Sequence, residues 1–354
     1  MSRSRRRLRE GGSHPRQLPT ASHSRELRAA NRELQTLLPM SEHYLTTKST
    51  HDRWNRDLAP QIEVEPGDVV KFDCFDSSGG QLSANSTVDD FLKIDRSKIH
   101  TLSGPVAIKG AKPGDTLRVH VLNIQHKGWG WTSITPGLGF LPDRFPDPFL
   151  FIWQLDEEST DSLAPAVVPL RPFCGIMGVA PAAPGEMRTR QPGSFGGNMD
   201  VKDLAAGSTL YLPVLNEGAL FSLGDVHAAQ GDGEICINGI ECPAVVTVRF
   251  TLLESTRLSA PMLETRQRSR TTGGAWTMVE SDQEPLVAAR RALNRMIDFL
   301  ANNWQFSLEH AYLLCSVAMD LRIHQVVNAP LITVGASLSK SLLPLVKKLV
   351  VGEK

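Results

Sequence analysis

From Ile62 onward, apolar and polar residues alternate with the two-residue period of half-buried strands. Two stretches, Val64-Glu65-Pro66-Gly67-Asp68-Val69-Val70-Lys71-Phe72 and Ala111-Lys112-Pro113-Gly114-Asp115-Thr116-Leu117-Arg118-Val119, share one plan: a Pro-Gly-Asp turn opening an alternating run. In the second, Leu117, Val119 and Val121 alternate with Arg118 and His120, so one face is expected to be buried and His120 to sit on the wet one. Further strands are expected at Leu210-Tyr211-Leu212 and at Ala244-Val245-Val246-Thr247-Val248-Arg249-Phe250. Gln125 to Ala206 differs. It is rich in glycine and proline with little regular period, and too long for a passive connection, so ordered loops lining a site or an oligomer contact are expected there.

After Ser255 the period lengthens. Leu286, Ala289, Leu293, Ile297 and Leu300 recur at helical spacing, and Ser307 followed by Glu309 predicts an N-capped second helix running through Leu321. A last strand is expected around Leu331 to Val334, and the polar segment Thr265 to Gly274 is expected as a boundary or an extended arm. These elements define an α+β fold, predominantly β. A β-sandwich-like body with long Gly/Pro-rich loops occupies 42–255, a helical and mixed subdomain 256–354, and a basic, disordered extension 1–41.

Composition narrows the function without naming it. A 354-residue chain with 41% apolar residues can bury one large or two smaller cores, and its zero formal charge argues against a nucleic-acid-binding body. The charge is uneven: residues 1–40 hold nine Arg against three Glu, or +6, leaving −6 on the rest. Ser2-Arg3-Ser4-Arg5-Arg6-Arg7 fits an organellar import signal or an anion-binding tail poorly, because Gly11-Gly12, Pro15 and Pro19 interrupt any amphipathic helix. Leu27, Leu34 and Leu38 are spaced for one face of a short helix between Ser24 and Leu38. Five cysteines without a Cys-x-x-Cys pair suggest reduced thiols in a cytoplasmic setting, and no apolar run is long enough for a membrane helix.

The densest chemistry lies at Gly224-Asp225-Val226-His227-Ala228-Ala229-Gln230-Gly231-Asp232-Gly233-Glu234, where ionisable side chains stand among glycines and alanines. Asp225 and His227 are two apart, so on a strand they project together as a carboxylate and imidazole pincer for a divalent metal. Glu234 lies within loop reach, as a further ligand or a general base. Ordinary turn chemistry would also account for the Asp-Gly pairs.

Upstream stand Gly128-Trp129-Gly130-Trp131, Arg171-Pro172-Phe173-Cys174-Gly175-Ile176-Met177-Gly178, Pro192-Gly193-Ser194-Phe195-Gly196-Gly197-Asn198-Met199-Asp200 and Gly207-Ser208-Thr209-Leu210-Tyr211. In this order, from about Thr50 through Lys340, the series resembles the acetamidase/formamidase family of metal-dependent short-chain amide hydrolases. The resemblance implies release of ammonia from a formamide- or acetamide-like substrate, with the metal on Asp225 and His227 completed by Asp76 or His51, which fall in matching early motifs. Glu234 is then the base, with Asp232 and Asp200 next in line. Asn198, Asp200 and Gln230 are expected to bind the substrate. Zinc suits a mixed His and carboxylate shell, while a carboxylate-rich one would suit calcium or magnesium. The expected partners are the amide and further copies of the chain, with no nucleic acid or membrane. One departure is that the family's Cys-Gly-Thr-Ala segment is replaced by Ile235-Cys236-Ile237-Asn238-Gly239-Ile240 before Glu241. His100, His310 and His324 fall outside the motifs and are expected in the surface or core.

Other chemistries fit less well. Ser77-Ser78-Gly79-Gly80 lacks the Lys and second Ser of a serine amidase relay, and Cys174 lacks a base. A cupin-like metal-binding β protein, either an oxygenase or a non-catalytic binder, is compatible with His227 and Glu234 but would usually carry a His-x-His pair. A family homologue with a degenerate site is the third reading.

Overall fold

In the computed structural model, residues 41–265, 274–343 and 350–351 are described; the expected extension at 1–40, its short helix, and most of the polar segment after Thr265 lie outside them. The two Pro-Gly-Asp turns are built alike. Gly67 and Gly114 take φ of 113° and 97°, which an L side chain disfavours. The Asp then folds back, Asp68 accepting from the Glu65 amide at 3.1 Å and Asp115 from the Lys112 amide at 3.0 Å. Each turn launches a strand, Val69–Cys74 and Thr116–His126.

Ala244–Leu253 lies between these two and pairs antiparallel with both. They form the middle of a nine-stranded sheet in the order Glu42–Leu45, Val69–Cys74, Ala244–Leu253, Thr116–His126, Thr209–Pro213, Met262–Glu264, Ala275–Asp282, Ile332–Ser339 and Met319–Gln325. The alternation expected from sequence is present: Val246, Val248 and Phe250 are fully buried while the residues between them are half-exposed.

A second sheet runs Pro192–Gly193, Gly196–Asn198, Phe173–Gly178, Phe221–His227, Leu102–Ile108 and Thr50–His51, with Ile62–Val64 also paired to Leu102–Ile108. Phe221 of this sheet meets Phe72 and Phe250 of the first edge to face, with ring centroids 6.1 and 5.1 Å away. This contact makes the two layers a sandwich, and burying each such ring stabilises it by roughly 1.5–3 kcal/mol. The body is predominantly β as expected.

Three details differ from the sequence reading. The stretch after Gln125 is not loop alone: it holds a hairpin of Trp129–Ile134 with Phe149–Gln154 and the central strand Phe173–Gly178. That last strand is buried at every position, so it carries no alternation to read. The helix Pro285–Trp304 buries Ala288, Ala292, Met296, Phe299 and Leu300, whereas Leu286 is 67% exposed, so its core face is rotated toward the alanines. The next helix opens on Ser307 as expected, its hydroxyl accepting from the His310 amide, but ends at Ala318 because Met319–Gln325 pairs with Ile332–Ser339. Both helices pack on the extension of the nine-stranded sheet, which runs unbroken across residue 255. No helix among the described residues is long and apolar enough to cross a membrane.

Candidate active site

The Phe221–His227 strand ends in a polar pocket because of what stands beside it. In the antiparallel register with Phe173–Gly178, Phe173 faces His227, its ring edge-on at 5.1 Å, and Gly175 falls opposite Asp225. A β-carbon on Gly175 would lie 2.6 Å from Asp200 Oδ1, 2.7 Å from Asp225 Oδ2 and 3.0 Å from His227 Cε1. The missing side chain is the space that three ionisable groups share. The Gly175 carbonyl also accepts from the amides of Met199 and Asp200, at 3.1 and 3.2 Å, and so brings Asp200 over the strand. On the other flank, Ala228 and Cys242 amides bond across to Ile240 and Val226, and Glu241 exchanges two 2.9 Å bonds with Trp131, which sets Glu241 beside His227.

Five side chains converge. His227 Nε2 lies 2.8 Å from Glu241 Oε1, 3.6 Å from Asp225 Oδ1 and 4.0 Å from Glu234 Oε1. They form two overlapping triads, Asp225 with His227 and Glu241, and Asp200 with His227 and Glu234, in which one atom from each residue falls within 4.8 Å of the others. All five residues are buried. Three of the carboxylates sit on left-handed backbone, with φ of 51° at Asp200, 53° at Asp225 and 49° at Glu234, a conformation that costs about 1–3 kcal/mol each and clusters at functional sites.

The electrostatics are those of an uncompensated cluster. Burial pushes Asp200 up to about 7, aided by the charge of Asp225, and burial likewise takes Glu241 up to about 7. Burial, with Asp200 next to it, raises Glu234 well above the carboxylate range. Burial would raise Asp225 too, but the imidazoles of His100 and His227 outweigh it and hold Asp225 low. For His227, burial opposes protonation, yet Glu241 and Asp225 prevail and raise it. Among the described residues, Asp200 Oδ1, Asp225 Oδ1, Glu234 Oε2, Glu241 Oε2 and both His227 nitrogens are buried without a hydrogen-bond partner. The short His227 to Glu241 approach is an ion-pair contact at 2.8 Å that does not meet hydrogen-bond geometry at His227 Nε2. Orphaned, converging carboxylate and imidazole atoms are the donor set of a divalent cation, so the residues present fit a metal.

Glu234 is held from the C-terminal side. Gly233 donates to the His324 carbonyl at 2.9 Å and accepts from the Val326 amide at 3.2 Å. Arg322 clasps Asp232 through two 2.9 Å bonds and reaches Asp203 as well. Asn328 donates to the Asp200 carboxylate, and Gln230 donates to the Asp200 carbonyl at 3.1 Å.

Of the residues singled out from sequence, the structure brings together Asp225, His227, Glu234 and Asp200, with Asn198 lining the adjoining cavity and Gln230 bonded to the Asp200 backbone. It places three elsewhere. His51 hydrogen-bonds the Arg53 carbonyl and the Ser222 hydroxyl, each at 2.8 Å, so both ring nitrogens are engaged. Asp76 accepts from the amides of Ser78 and Gly80 and from the Trp131 indole, so its carboxylate is engaged in its own turn. Asp232 is exposed and paired with Arg322 and Lys202, outside both triads. Two groups gained a place that the sequence did not assign: Glu241 in a triad, and His100, whose Nε2 is 4.0 Å from Asp225. Strand pairing brings Glu241 here and the return of the chain brings His100, and neither leaves a local signature.

The cluster opens on a cavity of 210 Å3 with Asp225, Glu234 and Glu241 at its floor and Phe91, Trp131 and Leu138 on its walls. The model of the acetamidase/formamidase family matches residues 39–187 and 182–343. A formamidase from Methylophilus methylotrophus is 29% identical over 260 residues, covering 58% of this chain and 64% of that protein. An acetamidase from Mycolicibacterium smegmatis is 29% identical over 267 residues, covering 58% and 66%. The chain thus spans just under two thirds of the length of these relatives. Among solved structures, an acetamidase from Bacillus halodurans superposes with a TM-score of 0.78 at 32% identity, over 84% of this chain and 98% of that one. A gamma lactamase from Delftia acidovorans gives 0.60 at 25% identity, over 87% and 94%.

Proposed function

Because this chain belongs to the acetamidase/formamidase family, we propose that it hydrolyses a short-chain carboxamide to the carboxylate and ammonia at the His227 cluster, with a divalent metal held there. The observation that carries this reading is the pair of buried carboxylate triads sharing one imidazole, with their facing atoms unpartnered. Asp225, His227 and Glu241 would hold the ion, with Asp200 at its other side; the mixed shell suits zinc. A bound ion supplies Lewis acidity, polarising an amide carbonyl and lowering the pKa of water toward about 7.

The chain's own groups do the rest. Glu234, whose carboxyl burial holds high, is the group we assign to take a proton from water and give it to the departing nitrogen, a role worth about 10²–10⁴-fold. The Asn198 side-chain oxygen lines the cavity without a partner and can accept from the amide NH2. Asn328 fixes the Asp200 carboxylate, and the apolar walls limit competing water.

Elemental analysis together with ammonia release from formamide, acetamide and propionamide tests the proposal. Chelation should abolish release, and His227→Ala should lower both metal content and rate. Glu234→Gln should keep the metal while the rate falls by at least ~10²-fold; loss of metal from that variant instead would make Glu234 a ligand. Metal uptake with no ammonia release from any amide would favour the non-hydrolytic metal-binding reading.

A further inference from the structure

The cavity over the cluster has a second chemical character at its outer wall. Arg96, Arg188 and Arg190 all line it, above a floor of Asp225, Glu234 and Glu241. None of the three has an ion-pair partner among the described residues. Arg190 makes one long hydrogen bond to the Val327 carbonyl at 3.4 Å, and Arg96 lies over the Phe91 ring at 5.1 Å. The contrast with Arg322 and Arg295, which bond carboxylates directly, is plain.

A guanidinium fork matches a carboxylate in shape and charge, and three open forks around one small cavity make a positive rim. Neutralising the acidic floor is a competing role, most of all for Arg190, which feels the charge of Glu234. A divalent ion in the cluster would take over that role and leave the rim facing the ligand. Size points the same way. A volume of 210 Å3 equals the liquid share of roughly seven waters. Formamide, with three heavy atoms, fills well under half of that, and an amide of about seven or eight heavy atoms fills it.

We propose that the amide taken by this site carries a carboxylate at its far end, as in the monoamide of a short dicarboxylic acid, with Arg190, Arg188 and Arg96 receiving that carboxylate. The proposal rests on the amide-hydrolysis reading above. The amide end lies toward His227: water oxygen bonds to the amide carbon, the C–N bond breaks with its electron pair on nitrogen, and nitrogen takes a proton and leaves as ammonia. The new carboxyl group gives its proton to the ammonia, so the products are a dicarboxylate and ammonium, and no oxidant or reductant is needed.

The test compares kcat/KM for succinamate and for butyramide, which has a methyl group in place of the carboxylate. Charge-assisted hydrogen bonds predict a preference for succinamate of about tenfold or more. Arg188→Gln and Arg190→Gln should each narrow that ratio, mainly through KM for succinamate, and added salt should narrow it in the unaltered protein. A wild-type ratio at or below unity overturns the proposal, as does an equal loss on both substrates accompanied by loss of metal in the Arg190→Gln protein. Absence of ammonia from both of these and from acetamide overturns the amide reading itself, and this one with it.

Discussion

Ala244–Leu253 and Phe221–His227 are both central strands of their sheets, yet they are built on opposite terms. The first alternates buried and half-exposed residues, pairs on both sides and has no left-handed residue. Local preference, pairing and burial agree there. The second is buried at every position, carries a left-handed Asp225, and ends among carboxylates that burial pushes toward protonation. One strand stabilises the body; the other is tolerated by it. Of the two strands, the second is the one whose left-handed residue and orphaned carboxylate stand where a cation could make use of them.

That contrast can be broken at either strand. The largest effect is expected from Gly175→Ala, which puts a methyl group against Asp200, Asp225 and His227 and displaces them by enough to cost at least ~10² in rate, with metal content falling too. Unchanged activity would mean the cluster is not the reacting centre. Next is Phe250→Ala on the first sheet, which should cost about 3–5 kcal/mol in unfolding free energy while metal bound per folded chain stays constant. The smallest is a gain. In metal-free protein, Asp200→Asn should raise the melting temperature, and by more at pH 8 than at pH 5. The sign follows from the folded carboxyl at about 7 lying above its unfolded value near 3.8: between those pH values the folded state binds more protons, so this residue's share of stability falls as pH rises. A gain that shrinks toward pH 8 would contradict the assigned shift.

The legible parts of the sequence were those where one local rule decides. Alternation marked Ala244–Leu253, and the Pro-Gly-Asp turns marked the strands they launch. The concentration of charge among small residues marked Asp225, His227 and Glu234. Phe173–Gly178 stayed hidden because total burial erases alternation, and Glu241 and His100 because only strand pairing and chain return bring them to Asp225 and His227. Asp76 shows where a local rule stops deciding. An acid in a glycine turn looks the same in sequence whether it binds an ion or its own backbone, and here the Ser78 and Gly80 amides occupy it.

The clasp on Glu234 and Asp200 has a consequence in time. Arg322, His324, Val326 and Asn328 lie near the end of the chain, and the groups they fix lie 90 to 128 residues earlier. During synthesis both sheets can gather most of their strands before these residues emerge from the ribosome, since folding proceeds from the N-terminal side. The acidic cluster receives these restraints only after Arg322 to Asn328 have emerged, so a chain interrupted before them carries the pocket's floor without the means to hold it still.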